Sequence, residues 1–424
     1  MQLLIKNGRV LDPASERDGI CDILVADGVI QKVAENIEAE GAKVVDASGY
    51  FVMPGLVDLH VHFRDPGLTY KEDIETGAKA AARGGYTTVL CMPKTSPVID
   101  APEKVEYVKN RAKEVAPIHV LQVGAVTVGM MGETVSDIRG MVEAGIPAIS
   151  EDGKSVMNSQ VYREAMEIAS ELDLPVLAHC EDINLVNKGV MNADDRADAL
   201  GLKGITNAVE DVIVARDILL AQETGARLHL CHCSTKDSVK MVRWAKDAGL
   251  KVSAEVCPHH FTLTSDDIPC DDANYKMNPP VRTQADKDAL IAGLKEGIID
   301  VIATDHAPHS AEEKSRSMTQ APFGIVGLET AVALTVTELL EKDILTPLQM
   351  AKVMSYQPAR IASLDAGTLL EGKAADIVLI DPKEEYVIDK NEFASKGKNT
   401  PFHGWKVRGK VKMTICDGEI VYED

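Results

Sequence analysis

The sequence predicts an α/β protein: a (β/α)8 TIM-type barrel flanked by a small β-sandwich built from both termini. Three observations predict it. Eight strand-like apolar runs alternate with helical patterns between residues 53 and 365. The unusual polar residues close those runs and are spread over many of them, as in barrels; an open doubly wound sheet would gather them at one switch point. The two ends of the chain also share one style of short β-rich runs broken by Asx-Gly dipeptides.

In chain order, residues 1–52 give LLIKNGRVL, DILVADGVIQKV and AKVVDAS, with Asn7-Gly8 and Asp27-Gly28 as hairpin signals. The central strands are expected at 55–62, 87–93, 119–126, 147–153, 175–181, 227–233, 251–260 and 300–309. Between them lie helical patterns such as 101–116, with Asp100 placed to cap and Pro102 in the first turn, and 208–225, with apolar residues at helical spacing. Residues 366–424 return to ADIVLID, EYVI and VKMTICDGEIVYE, with Asp417-Gly418. Neither terminal piece is long enough for a core of its own, so the two are expected to form one unit around a continuous domain at 53–365.

A net charge of −21 argues against nucleic acid or an anionic membrane as partner, but not against a small anionic substrate held by a few local cations. MQLLIKNGRV has no basic region leading into a long apolar stretch, and no run of about 20 apolar residues follows, so a cytoplasmic address is expected. The eight cysteines form no C-x-x-C and read as small buried hydrophobes. Cys231 and Cys233 flank His232, and strand alternation would turn both away from whatever His232 faces.

His60-Val61-His62 puts two imidazoles on one face of a strand, about 6.5 Å apart along it, close enough to share a metal. The pair closes an apolar run, where unpartnered histidines are costly to bury. His179 and His232 close two further strands in the same way, and Asp305 closes the eighth. That is too many ligands for one catalytic zinc, which usually takes three. Two metals about 3.5–4 Å apart need a bridging anion. Asp152 is favoured for it; the adjacent alternatives are Glu151, which alternation points the other way, and Lys154, past the glycine turn.

Asp58-Leu59-His60-Val61-His62-Phe63-Arg64-Asp65-Pro66 and Ala303-Thr304-Asp305-His306-Ala307-Pro308-His309, followed by Lys314, resemble the two signature segments of the dihydroorotases, within the amidohydrolase superfamily. The resemblance extends to 276–282, 322–329 and 399–402. It implies that His60, His62 and Asp305 hold one zinc and His179 and His232 the other, with Asp152 and a hydroxide between them. Relatives often bridge with a carboxylated lysine; Glu151-Asp152-Gly153 resembles the aspartate-bridged branch. The resemblance further implies that Arg64 clamps the substrate carboxylate, while Asn278, His309 and the backbone at Phe323 and Gly324 hold the carboxylate and ring amide. Asp305 would carry the proton as catalytic residue. The implied reaction is reversible cyclisation of N-carbamoyl-L-aspartate to L-dihydroorotate, in pyrimidine biosynthesis. One position departs from the pattern: Lys94 stands where the family usually has an asparagine that binds the carboxylate.

The alternative is a related hydrolase of hydantoin or allantoin type, whose neutral ring needs no carboxylate clamp. A metal-free structural relative would be expected to have lost ligands, and all six are present. His259-His260 read as orienting or filling residues, His119 and His229 as structural. The polar stretch 310–321 reads equally as a lid or a mobile surface loop. A homodimer is expected on general frequency, and the resemblance leaves room for association with aspartate transcarbamoylase.

Overall fold

The computed structural model describes residues 2–424. Strands from both ends of the chain join in one sheet. Its order is Glu419–Glu423, Lys406–Cys416, Ile377–Val387, Phe51–Pro54, Gln2–Asp12, Arg17–Ala26 and Val29–Ala34, with Lys43–Asp46 also pairing Gln2–Asp12. The C-terminal strands attach to the N-terminal ones through Ile377–Ile380 against Phe51–Pro54. One apolar cluster serves both ends, with Leu3, Ile5, Ile23, Val25 and Val52 against Ile377, Leu379 and Ile415.

Two of the three Asx-Gly dipeptides make the expected hairpins. Asp27-Gly28 (φ +52° and +76°) and Asp417-Gly418 (φ +48° and +76°) supply the left-handed pair that such a turn requires. Asn7-Gly8 does not turn the chain. It lies inside Gln2–Asp12, where the pairing register shifts between Ile5 and Gly8. Asn7 takes φ +62° and its amide is held by Asp22 Oδ1 at 2.9 Å, while a Cβ on Gly8 would stand 2.3 Å from Val52 Cγ2. The dipeptide serves a bulge and a close strand contact instead.

Nine parallel strand segments follow in chain order, His119–Gln122 and Gly124–Ala125 together making the third of eight strands. Leu56–Val61, Tyr86–Cys91 and His119–Gln122 form one sheet; Gly124–Ala125, Ile149–Ser150, Pro175–Ala178, Arg227–Leu230, Val252–Val256 and Val301–Ile302 form the next. The chain runs from the first sheet into the second through residues 122–124, and Val61 bridges His306 in parallel at the other side. Val57, Leu59, Leu90, Leu177 and Val301, from four of these strands, pack into one cluster with Met92 and Val123 beside them.

Helices fill most intervals. Pro102–Val115 and Ala208–Thr224 fall within a residue of the expected spans. Asp100 does not cap the first of them: Ala101 is the N-cap, and the Asp100 carboxylate is taken by the Gly129 amide at 2.7 Å and by Lys104. No helix among the described residues is long and apolar enough to cross a membrane.

The central strands end earlier than their sequence runs. Arg64, His232 and Asp305 have positive φ (+61°, +34° and +48°), conformations a strand cannot hold. His259 and His260, expected at the end of strand seven, lie on the short helix Pro258–Thr262, which Pro258 opens.

Candidate active site

The ends of the eight strands gather every residue singled out from the sequence as a ligand. Asp152 is the hub. Its Oδ1 lies 3.2 Å from His60 Nε2, 3.3 Å from His179 Nδ1 and 3.5 Å from His232 Nε2, and its Oδ2 lies 3.2 Å from His62 Nε2. Asp305 Oδ1 faces His62 Nε2 at 3.2 Å and His60 Nε2 at 3.4 Å. Glu151 points elsewhere, to the Thr127 amide at 3.0 Å, and Lys154 donates to Met130 O at 3.0 Å.

These contacts are poor hydrogen bonds and good coordination edges. His60 Nε2 and Asp152 Oδ1 are buried and neither makes a hydrogen bond of acceptable geometry. Two such orphans facing each other in a dry cluster are costly unless something sits between them. His60, His62 and Asp305 present three donor atoms mutually within 4.8 Å, and His60, Asp152 and His232 present a second such set. The donor set of imidazole nitrogen and carboxylate oxygen fits divalent metal ions.

The tautomers agree with that fit. His60 Nδ1 lies 2.8 Å from Glu255, and His179 Nε2 lies 2.6 Å from Glu181. A ring nitrogen that donates to a carboxylate leaves its partner free as a ligand. Burial works to lower His179, yet the facing carboxylates of Asp152 and Glu181 raise it to about 9. Burial opposes the charge on Asp305 too, but the facing histidines hold its carboxyl down at about 2.

Glu255 and Glu181 escaped the sequence reading. Glu255 carries no signal of its own, since with Ser253 it reads as a polar position of the alternating strand Val252–Val256. Glu181 follows His179 by two residues, but its other partner, the Asn278 amide at 2.9 Å, is distant in sequence. Asp58 joins strands one and eight beneath the site, accepting from the His60 amide at 3.1 Å and from Thr304 Oγ1 at 2.5 Å.

Above the cluster opens a cavity of about 490 Å³, lined by His62, Asp152, His179, His232 and Asp305 together with Arg64, Lys71, Lys94, Asn278, His309, Phe323 and Gly324. All the substrate-binding candidates therefore meet the ligands in one space. A larger hollow of about 790 Å³ beside the terminal sheet holds no comparable cluster, so size alone does not locate the chemistry. Arg64 is buried, anchored through Nε to Pro308 O at 3.2 Å; burial lowers it to about 10 and leaves it charged at neutral pH. His309 Nε2 faces Phe323 O at 2.7 Å and its Nδ1 receives Lys71 Nζ at 3.2 Å. Burial and the cations Arg64, Lys71 and Lys314 push His309 far below its usual range, so it is neutral. A Cβ on Gly324 (φ +127°) would stand 2.6 Å from Ala307 Cβ, so this close backbone approach requires glycine.

Lys94 lies on the cavity wall over Gly153, its Nζ donating to Gly153 O at 3.3 Å. Its tip reaches solvent, but protein surrounds most of it, and that burial lowers its pKa. Segment 310–321 is fastened rather than a free surface loop. Ala311–Lys314 is a short helix capped by Ser310, and Lys314, Met318 and Ala321 are buried. Lys314 Nζ donates to Ala273 O, Lys276 O and Pro322 O at 2.8, 3.2 and 3.0 Å. Asn399, from the late segment, bonds Ala307 O and Gly324 O at 3.0 Å each and accepts from the His309 amide.

The cysteine reading needs one correction. Cys231 does not turn away from the cluster, since its Sγ groups with His60 and Glu255. The strand ends at Leu230, so alternation no longer governs the next three residues. Burial pushes the Cys231 thiol well up, which keeps it protonated and hydrophobe-like. His119 and His229 are indeed away from the cavity, against Asp376 and Asp417, and against Ser253 and Glu255.

Known proteins resemble this chain along its whole length. A family model described as Dihydro-orotase-like matches residues 49–238. The chain is 50% identical over 421 residues to a dihydroorotase of Clostridioides difficile strain 630, covering 99% of each. It is 46% identical over 424 residues to a dihydroorotase of Acetivibrio thermocellus, covering 100% of this chain and 99% of the relative. In fold it is similar to an L-hydantoinase (dihydropyrimidinase) from Arthrobacter aurescens, with a TM-score of 0.90 and 27% identity over 99% of this chain and 96% of that one.

Proposed function

The chain belongs to the dihydroorotase family of cyclic-amide hydrolases, and from that premise we propose that its cavity interconverts N-carbamoyl-L-aspartate and L-dihydroorotate with two zinc ions per subunit. The observation that carries the reading is the company the ligand cluster keeps: Arg64, Lys71 and Lys94 line the same cavity. A hydantoin or dihydropyrimidine ring is neutral there and leaves such cations unanswered; dihydroorotate brings a carboxylate. The fold is shared with hydantoinases and does not decide between them.

Each residue then has a task. Arg64 offers the part of its planar fork not used on Pro308 to the carboxylate, a geometry that guanidinium suits. Asn278 and the Phe323–Gly324 backbone hold the ring in register. The metal pair, when bound, lowers the pKa of water and polarises the ring carbonyl. Asp305, ionised and at the cavity floor, takes the attacking water's proton and delivers it to the departing ring nitrogen. Cyclisation reverses the path. We read the eight parallel strands, spanned by the Val61–His306 bridge, as a closed (β/α)8 barrel over 53–365. The sheet made from 1–52 and 366–424 we read as the accompanying sandwich.

Arg64→Met tests the reading. It should cut kcat/KM for dihydroorotate by roughly 10²–10³-fold, the order of 3–4 kcal/mol for a lost buried charge-assisted contact. Slow turnover of neutral dihydrouracil should stay within a fewfold. Equal losses on both rings would sink the carboxylate-clamp assignment. Lys94→Asn should shift KM for dihydroorotate by about threefold or more, the scale of a partly exposed charge contact; an unchanged KM would remove Lys94 from the site.

A further inference from the structure

A file of hydrogen bonds runs under the ligand cluster to the opposite ends of the strands. Ser253 Oγ lies 2.8 Å from His229 Nδ1, His229 Nε2 lies 2.9 Å from Glu255 Oε2, and Glu255 Oε1 lies 2.8 Å from His60 Nδ1. Glu255 also accepts from the His232 amide at 3.1 Å. Ser253 and His229 line a separate cavity of about 430 Å³, formed by the first residues of strands five to seven. His229 and Glu255 never touch the catalytic cavity.

We propose that Glu255, held by His229, is a positioning residue that fixes the His60 tautomer and so sets the protein's affinity for its divalent ions. One arrangement of protons satisfies every contact in this file. The Ser253 hydroxyl donates to His229 Nδ1, so His229 Nε2–H donates to Glu255. Glu255, accepting from three N–H groups, holds the proton on His60 Nδ1, so that Nε2 is the nitrogen that gives up its proton to bind an ion. That nitrogen faces Asp152 and Asp305. Glu255 is wholly buried, and no lysine or arginine contacts it in a salt bridge. Its charge is answered by His229 and His60, and through His60 it makes that imidazole a stronger donor. Glu181 stands differently toward His179: it borders the open cavity and shares its oxygen with Asn278. Substrate is thus placed to disturb one carboxylate–histidine pair and not the other.

The inference rests on the reading of His60 as a ligand, and zinc affinity separates the two. Zinc dissociation constants would be measured by competition with a chromophoric chelator on the full-length protein. Parent protein that binds no zinc would overturn the ligand reading itself. With parent binding established, Glu255→Gln should weaken zinc by roughly 10–100-fold, the usual cost of losing an outer partner of a metal-bound histidine. Much of the activity should return at saturating zinc, with KM little changed. Affinity within threefold of the parent would overturn the proposal. Should Glu255→Gln fail to fold, the His229 pair decides. His229→Leu removes the N–H that holds Glu255 and should weaken zinc at least fivefold. His229→Gln, whose amide can donate from the same place, should restore most of it. Equal affinities in the two variants would reduce His229 to packing and overturn its part in the proposal.

Discussion

Asp152→Asn is expected to abolish both metal retention and catalysis, with zinc affinity falling by roughly a thousandfold or more. That is about 4 kcal/mol, the order of a broken buried ion pair. Among the described residues, the carboxylate is the only group that faces all four imidazoles, each at 3.2–3.5 Å. An amide of the same shape removes the charge and turns an N–H toward nitrogens that must be lone-pair donors. The same electrostatics give a pH signature. In the metal-free cluster Asp152 contributes to raising His60 well above its usual value and His179 to about 9. Binding an ion must displace those protons. The sign follows: a site protonated when empty and deprotonated when filled binds more tightly as pH rises and levels off above its pKa. Zinc affinity should therefore climb between pH 7 and about pH 9, with protons released on metal addition in weakly buffered solution. Asp152→Asn removes one source of the raised values and should release fewer protons at pH 8. Equal release from both proteins would show that Asp152 does not govern the cluster.

What could be read beforehand divides by whether a residue's neighbours along the chain betray it. His60, His62, His179, His232 and Asp305 close apolar runs, and a polar residue at the end of an apolar run demands an explanation. Asp152 was reached by supposing that two ions need a bridge, with Glu151 turned away by strand alternation and Lys154 past the glycine turn. Glu255 looks like one polar position in an alternating strand; its role exists only because strands one, six and seven bring His60, His232 and His229 around it. Lys314 and Asn399 are equally silent in isolation, since what they hold are carbonyls of loops distant in sequence. Backbone strain had no signal either. Nothing in composition announces that Arg64, His232 and Asp305, each two or three residues past the end of its strand, take positive φ and line the cavity. The terminal sheet was legible from Asp27-Gly28 and Asp417-Gly418. Asn7-Gly8 misled because a bulge and a hairpin ask the same conformation of the same dipeptide.

Asp305→Asn separates ligation from proton transfer, and its expected effect is confined to turnover. The residue has two duties. One carboxylate oxygen faces His62 and His60 at 3.2 and 3.4 Å, as a ligand would. The side chain also borders the cavity where the ring amide lies. Asparagine keeps an oxygen for the first duty but cannot accept a proton for the second. Zinc content should therefore fall only modestly, because Asp152 and the four histidines are untouched, whereas kcat should drop by roughly 10²–10⁴-fold, the range for a lost general acid–base. The parent carboxyl, held at about 2 by its histidine neighbours, is ionised over the whole working range. The acid limb of the pH–rate profile in the hydrolytic direction should then reflect protons on the histidine cluster rather than on Asp305. The residual Asp305→Asn activity should retain that limb. A variant that loses zinc and activity in parallel would make Asp305 a ligand alone, and the proton carrier would have to be sought among the other groups lining the cavity.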